Sequence, residues 1–336
     1  MPSTAPPPTS NAAAPGSGAP LPPPHRTSIF VYSGEGAGMR STLSALEALR
    51  ASLPRAVAVS PLATADLLAG GWAGSAALLV MPGGADLPYN RDLAGAGNAL
   101  IRAFVSDGGA YLGLCAGAYY GCARVEFEPG SETGMAVVGP RELAFFPGAA
   151  VGAAVPGFAY ESEAGAAAVS VVWRELGAPR GADTPPNAAQ PPWRSVRDYC
   201  NGGPVFTRAD GEAWDEDDCF TAGGLRVEVL ARYERRRLDG DGSAAPRPPT
   251  TSPAPAAAAG GGVVALRASC GAGVAVLCGT HPELAPAGLW LGGGGEDDGG
   301  KAAALAADLD AGAAERKAFW EGLLAAAGVG SLMEEK

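Results

Sequence analysis

Ala110-Tyr111-Leu112-Gly113-Leu114-Cys115-Ala116-Gly117 is the stretch whose reading decides the fold. An apolar run reads as a buried strand, a cysteine follows it, and small residues open a helix. A nucleophile at such a strand-to-helix turn sits on an elbow. The flanking Gly113 and Gly117 allow the backbone crowding that the turn requires. The reactive form of cysteine is the thiolate, which a helix N-terminus favours. The amide of Ala116 would then point toward a developing oxyanion. The plainer alternative, a small buried hydrophobe at a sheet edge, is weakened by the glycines, by the strand-to-helix context and by the partners found further along the chain.

Upstream of this stretch, strands alternate with helical patterns. Ser28 to Tyr32, Ala56 to Val59 and Ala77 to Met81 read as strands. A helical stretch carries Leu43, Leu46 and Leu49, and Thr64 to Leu68 reads as a short helix. Between Asn98 and Ser106, Leu100, Ile101, Phe104 and Val105 fall on one helical face. This alternation predicts an α/β fold with a mostly parallel sheet and helices on both faces. Downstream, Val169 to Trp173, Val227 to Ala231, Val263 to Leu266 and Gly273 to Gly279 read as further strands. Ala302 to Ala327 reads as a terminal helix weakened at Gly312.

The last of those strands delivers Gly279-Thr280-His281-Pro282-Glu283. The chain has only two histidines, and His25 lies in a Pro-rich tail. His281 is therefore the credible imidazole base for Cys115, with Glu283 placed to orient it and to stabilise its charged form. Taken alone, the pair reads equally as a loop histidine followed by a helix-capping glutamate. A third piece, Met81-Pro82-Gly83-Gly84, follows the third strand. Its amides at Gly83 and Gly84 offer a second set of oxyanion donors, although Pro-Gly-Gly is more often an ordinary turn. Gly34-Glu35-Gly36-Ala37-Gly38-Met39 fails as a dinucleotide fingerprint, because Met39 stands where the last glycine belongs.

Composition narrows the function classes. The 336 residues are 47% hydrophobic and carry a formal charge of −11. A nucleic-acid partner requires a cationic surface. The short Arg235-Arg236-Arg237 run reads instead as a solvated strand end. None of the six cysteines forms a CxxC pair, so neither a zinc ribbon nor a thioredoxin-like site is expected, and the reading calls for no metal or cofactor. No apolar run is long enough to span a bilayer. The expected organisation is a disordered Ala/Pro-rich tail over 1–27, one domain over 28–328 and a tail over 329–336. Disordered insertions are expected near 177–192, 239–262 and 292–300. A cytoplasmic setting fits, and a plastid transit role for the N-terminal tail stays open.

The cysteine elbow, the Pro82-Gly83-Gly84 loop and His281-Pro282-Glu283, in that chain order with the loop first, resemble the class I glutamine amidotransferase superfamily. A nearer resemblance is to the N-terminal domain of eukaryotic biotin–protein ligases. It is carried by Val31-Tyr32-Ser33-Gly34, Gly113 through Tyr120, Val125-Glu126-Phe127-Glu128, Tyr199-Cys200-Asn201-Gly202-Gly203-Pro204 and Gly279 through Glu283. The resemblance implies a flavodoxin-like three-layer sandwich, and a pocket lined by Tyr119, Asn201 and Gly202. Two departures stand out. Glutamine-hydrolysing members carry Gln four residues after the nucleophile, where this chain has Tyr119. The Gly-Arg-rich loop of a ligase catalytic domain is missing, so the chain is not expected to biotinylate by itself. Three functions follow as alternatives: a thiol hydrolase acting on a small amide or ester, a non-catalytic module that binds a metabolite or accompanies a biotin–protein ligase, and a redox-sensing thiol.

Overall fold

Side-chain alternation along the central strands places apolar residues on both faces of one sheet. In the computed structural model, Leu78 and Val80 of β3 (Ala76–Met81) join one hydrophobic cluster, while Leu79 and Met81 join another. The structure describes residues 26–131, 134–159, 162–163, 165–175, 191–214, 219–234, 261–286 and 298–333.

The scaffold is a five-stranded parallel unit in the order β2-β1-β3-β4-β14. Its members are β1 (Ser28–Tyr32), β2 (Val59–Leu62), β3, β4 (Ala110–Leu114) and β14 (Gly273–Cys278). On one face pack α1 (Met39–Ser52) and the helix Ala313–Ala326, the latter through Phe319, Trp320, Leu323 and Leu324. On the other face pack α2 (Thr64–Ala69), α3 (Asp86–Leu93) and α4 (Ala96–Ser106), through Leu67, Tyr89, Leu93, Ile101 and Phe104. The predicted α/β architecture with helices on both faces is therefore present.

Antiparallel strands extend this unit into a mixed sheet. From β14 the order continues through β13 (Val263–Cys270), β10 (Val205–Arg208), β7 (Phe146–Gly152), β5 (Cys122–Phe127) and β6 (Val137–Pro140). A branch adds β12 (Leu225–Tyr233), β11 (Cys219–Ala222), β8 (Ala167–Trp173) and β9 (Arg194–Cys200). The strands expected at 169–173, 227–231 and 263–266 lie inside β8, β12 and β13. Those of β5, β6, β7, β9, β10 and β11 escape sequence reading. β7 is Phe-Pro-Gly-Ala-Ala-Val-Gly and β9 is Arg-Ser-Val-Arg-Asp-Tyr-Cys, compositions without an apolar run. Partners across the sheet, not local propensity, make them strands.

Several boundaries move. The second strand begins at Val59, where the expected one ends, because its pairing is set by β1. On α1 the buried face is Ser41, Thr42, Ala45, Leu46 and Leu49, and Leu43 is 52% exposed. The expected terminal helix is two helices, Asp298–Ala311 and Ala313–Ala326, separated at Gly312. The chain beyond 328 is not simply a tail: Val329 is buried and Gly330–Met333 is helical. The expected N-terminal tail lies outside the described residues up to 25. The three expected insertions fall outside them as well, apart from 191–192, 261–262 and 298–300. Among the described residues no helix is long and apolar enough to cross a membrane.

Candidate active site

Cys115 sits between β4 and α5 (Ala116–Tyr120) with φ 49° and ψ −103°. A non-glycine residue at positive φ stores on the order of 1–3 kcal/mol, and it persists only where its surroundings hold it. Here the Cys115 N–H donates to the Cys278 carbonyl at 2.8 Å, and the Gly117 N–H donates to the Pro82 carbonyl at 3.1 Å. The Tyr111 hydroxyl donates to the Gly117 carbonyl at 2.7 Å. A Cβ on Gly117 would lie 2.0 Å from the Met81 carbonyl oxygen, so no larger residue fits this approach of α5 to β3.

His281 enters this region from the end of β14. Its Nδ1 lies 2.7 Å from Glu283 Oε1, and the Cys115 side chain lies near enough to act on its charge. The Cys115 sulfur also lies 3.8 Å from the Asn201 carbonyl oxygen. Burial alone would push the imidazole down. The charges of Glu283 and Cys115, with hydrogen bonds to both, outweigh it and raise the His281 pKa to about 10. Because the folded value exceeds that of an unfolded chain, this contribution to stability is complete below about pH 6.5 and is lost as pH climbs through about 10. NMR titration of the two imidazoles, assigned with His25→Ala, is expected to place His281 far above the ordinary midpoint near 6.5. An ordinary midpoint for both would contradict the pairing.

The Pro82-Gly83-Gly84 loop is divided in its use. The Gly83 N–H, expected as an oxyanion donor, is directed instead at Ser41 Oγ at 2.9 Å. Gly83 is the close-approach residue of the loop, since a Cβ there would lie 2.4 Å from His281 Cε1. Gly84 and Ala116, the other two expected donors, both line a pocket of about 60 Å³ together with Cys115. That volume admits only the end of a small group. Its walls are mostly apolar, formed by Phe127, Val137 and Phe158 among others. Tyr119, Asn201 and Gly202 line it as well. The Tyr119 hydroxyl donates to the Gly202 carbonyl at 3.0 Å and is buried there. The Asn201 amide donates to the Ser162 carbonyl at 3.0 Å.

A supporting layer went unread in the sequence. Arg316 Nε donates to Asp198 Oδ1 at 3.0 Å, and Nη2 donates to the carbonyls of His281 and Leu284 at 3.0 and 2.8 Å. All of these side chains are buried, so one guanidinium clamps the His281–Leu284 turn from behind. Nearer the surface, Arg40 pairs with Glu163 at 2.6 Å and donates to the Tyr199 hydroxyl at 3.0 Å. The Tyr199 ring meets His281 edge-on at 5.7 Å. Ser41 was the one detectable member: it recurs at helical spacing with Ala45 and Leu49, and a polar residue on an apolar face calls for a partner.

Comparison with known proteins shows the family of the chain. A profile described as "Biotin-protein ligase, N terminal" matches residues 27–336. The chain is 33% identical over 264 residues to a biotin–protein ligase of Schizosaccharomyces pombe, covering 77% of this chain and 34% of that protein. It is 50% identical over 102 residues to an uncharacterized protein of Chlamydia muridarum, covering 30% of this chain and 38% of that one. It thus spans little more than a third of either relative's length. Among solved structures, PurLQS from Thermotoga maritima aligns at TM-score 0.44 and 14% identity, over 89% of this chain and 98% of that one. A glutamine amidotransferase aligns at TM-score 0.42 and 19% identity, over 76% of this chain and 90% of that one. With the profile matched over nearly its whole length, the chain belongs to the biotin–protein ligase N-terminal domain family.

Proposed function

We propose that the domain is a thiol hydrolase acting on a small amide or ester, with Cys115 as nucleophile, His281 as proton carrier and Glu283 as its orienting carboxylate. The observation that carries this reading is the meeting of Cys115 with the Glu283-paired His281 at a turn held in a strained conformation. With its pKa raised to about 10, His281 already holds a proton at neutral pH, so the Cys115 sulfur attacks the carbonyl carbon as the thiolate beside it, and the Gly84 and Ala116 amides stabilise the oxyanion. Collapse breaks the C–N or C–O bond, and the leaving amine or alcohol takes the proton from His281. Water then attacks the thioester while His281 accepts its proton. The products are a carboxylic acid and the regenerated thiol. The small, mostly apolar pocket favours a short uncharged acyl group, and Tyr119 occupies the position where a glutamine-binding residue is expected. Incubation with p-nitrophenyl acetate tests this. The reading requires a burst of p-nitrophenol and one acetyl group on Cys115 by mass spectrometry, and acetylation spread over surface lysines instead would refute it.

A second reading has its own support: the chain corresponds to 34% of a curated biotin–protein ligase. On that reading the domain accompanies a separate or attached ligase as a binding module. Affinity capture of the ligase by the tagged chain, unchanged by Cys115→Ser, would favour it.

A further inference from the structure

We infer that Ser41 is a positioning residue, whose one hydroxyl ties the Pro82-Gly83-Gly84 loop to the Glu283–His281 pair. Ser41 lies in the first turn of α1, far in sequence from both. Its Oγ accepts the Gly83 N–H at 2.9 Å and donates its proton to Glu283 Oε1 at 2.9 Å. The same Oε1 receives His281 Nδ1 at 2.7 Å. A reciprocal bond closes the arrangement, since the Gly38 N–H donates to the Gly83 carbonyl at 2.8 Å. Ser41, His281 and Glu283 are only 7%, 6% and 4% exposed, so water does not readily replace any member.

Glu283 can tilt about its own side-chain bonds, and its Oε2 has no hydrogen-bond partner among the described residues. The Ser41 hydroxyl is thus the contact, other than His281 itself, that fixes which oxygen faces the imidazole. It also fixes the loop. A Gly83 displaced by its lost acceptor would move against His281 Cε1, which already leaves no room for a Cβ. One hydroxyl therefore sets the carboxylate, the imidazole and the loop together.

This inference deepens the hydrolase reading but is tested on the resting protein, with no substrate present. The His281 midpoint is measured by NMR in the wild type, Ser41→Ala, Glu283→Gln and the double variant. Ser41→Ala is expected to move the midpoint by about half a unit or more, the scale of one charge-assisted hydrogen bond. In the Glu283→Gln background the same change is expected to produce a much smaller shift, because Ser41 acts on the imidazole chiefly through the carboxylate and only secondarily through the loop. Ser41→Thr and Ser41→Val form a second, near-isosteric pair that differs in the hydroxyl, with the wild-type midpoint expected for Thr and a displaced one for Val. An unmoved midpoint in Ser41→Ala, equal shifts in both backgrounds, or equal midpoints for Thr and Val would each overturn the inference. Any of these would leave the hydrolase reading intact, just as a failure to find hydrolysis would leave Ser41 in its positioning role.

Discussion

Cys115→Ala is expected to eliminate the acetyl adduct and the p-nitrophenol burst, and to lower the single-turnover rate by at least about 10³-fold, the scale seen when the nucleophile of such a unit is removed. The size follows from chemistry, not from packing. The change removes the sulfur and its contacts to His281 and the Asn201 carbonyl, while the backbone hydrogen bonds that hold the turn stay in place. The fold should therefore survive. His281→Asn should produce a comparable loss in the burst, and the two losses should not add, since both residues serve the same proton transfer. Activity persisting in Cys115→Ala would move the chemistry elsewhere.

Arg316→Met is expected to cost about 3–5 kcal/mol of stability, the penalty for leaving one member of a buried ion pair without its partner. Asp198 is fully buried, and burial raises its pKa against the opposing pull of Arg316. With the guanidinium gone, the carboxylate can be accommodated only by taking up a proton. The folded pKa then lies above the unfolded one, so the stability of the variant is greatest at low pH and falls as pH rises through the folded value. Urea unfolding at pH 5 and pH 7 should show the smaller deficit at pH 5. Asp198→Asn in the same chain should recover part of the loss at pH 7. A deficit independent of pH would mean that the methionine merely packs badly. The freed carbonyls of His281 and Leu284 add a local effect, because the turn carrying the imidazole loses both of its donors from Arg316.

How far these residues were legible in the sequence depends on whether their signal is local. The turn at Cys115 was readable because an apolar strand, two glycines and a helix start are consecutive, and His281 was readable because the alternative histidine lies in a Pro-rich tail. Four of the five parallel strands show as apolar runs for the same reason, whereas β2, Val-Ser-Pro-Leu, is placed by its pairing with β1. Arg316 and Asp198 are 118 residues apart and meet only across the packed domain, so neither spacing nor composition betrays the pair. Ser41 carried half a signal, a hydroxyl on a buried helix face, but nothing in the sequence says that it faces Glu283. A glycine pair suggests ligand contact and so a free amide at Gly83, whereas the acceptor of that amide comes from α1. Strands such as β7 and β9 are polar or small-residue segments that the sheet recruits by pairing, so their periodicity is too weak to read.

The central claim is that Cys115 and His281 act as one reactive unit. The most direct measurement is the rate constant for carboxamidomethylation of Cys115 at pH 7, located by mass spectrometry, in the wild type and in a folded His281→Asn variant. Loss of the imidazole is predicted to slow Cys115 by about tenfold or more, corresponding to at least 1.4 kcal/mol of lost activation, while the other cysteines keep their rates. Equal rates at Cys115 in the two proteins would contradict it.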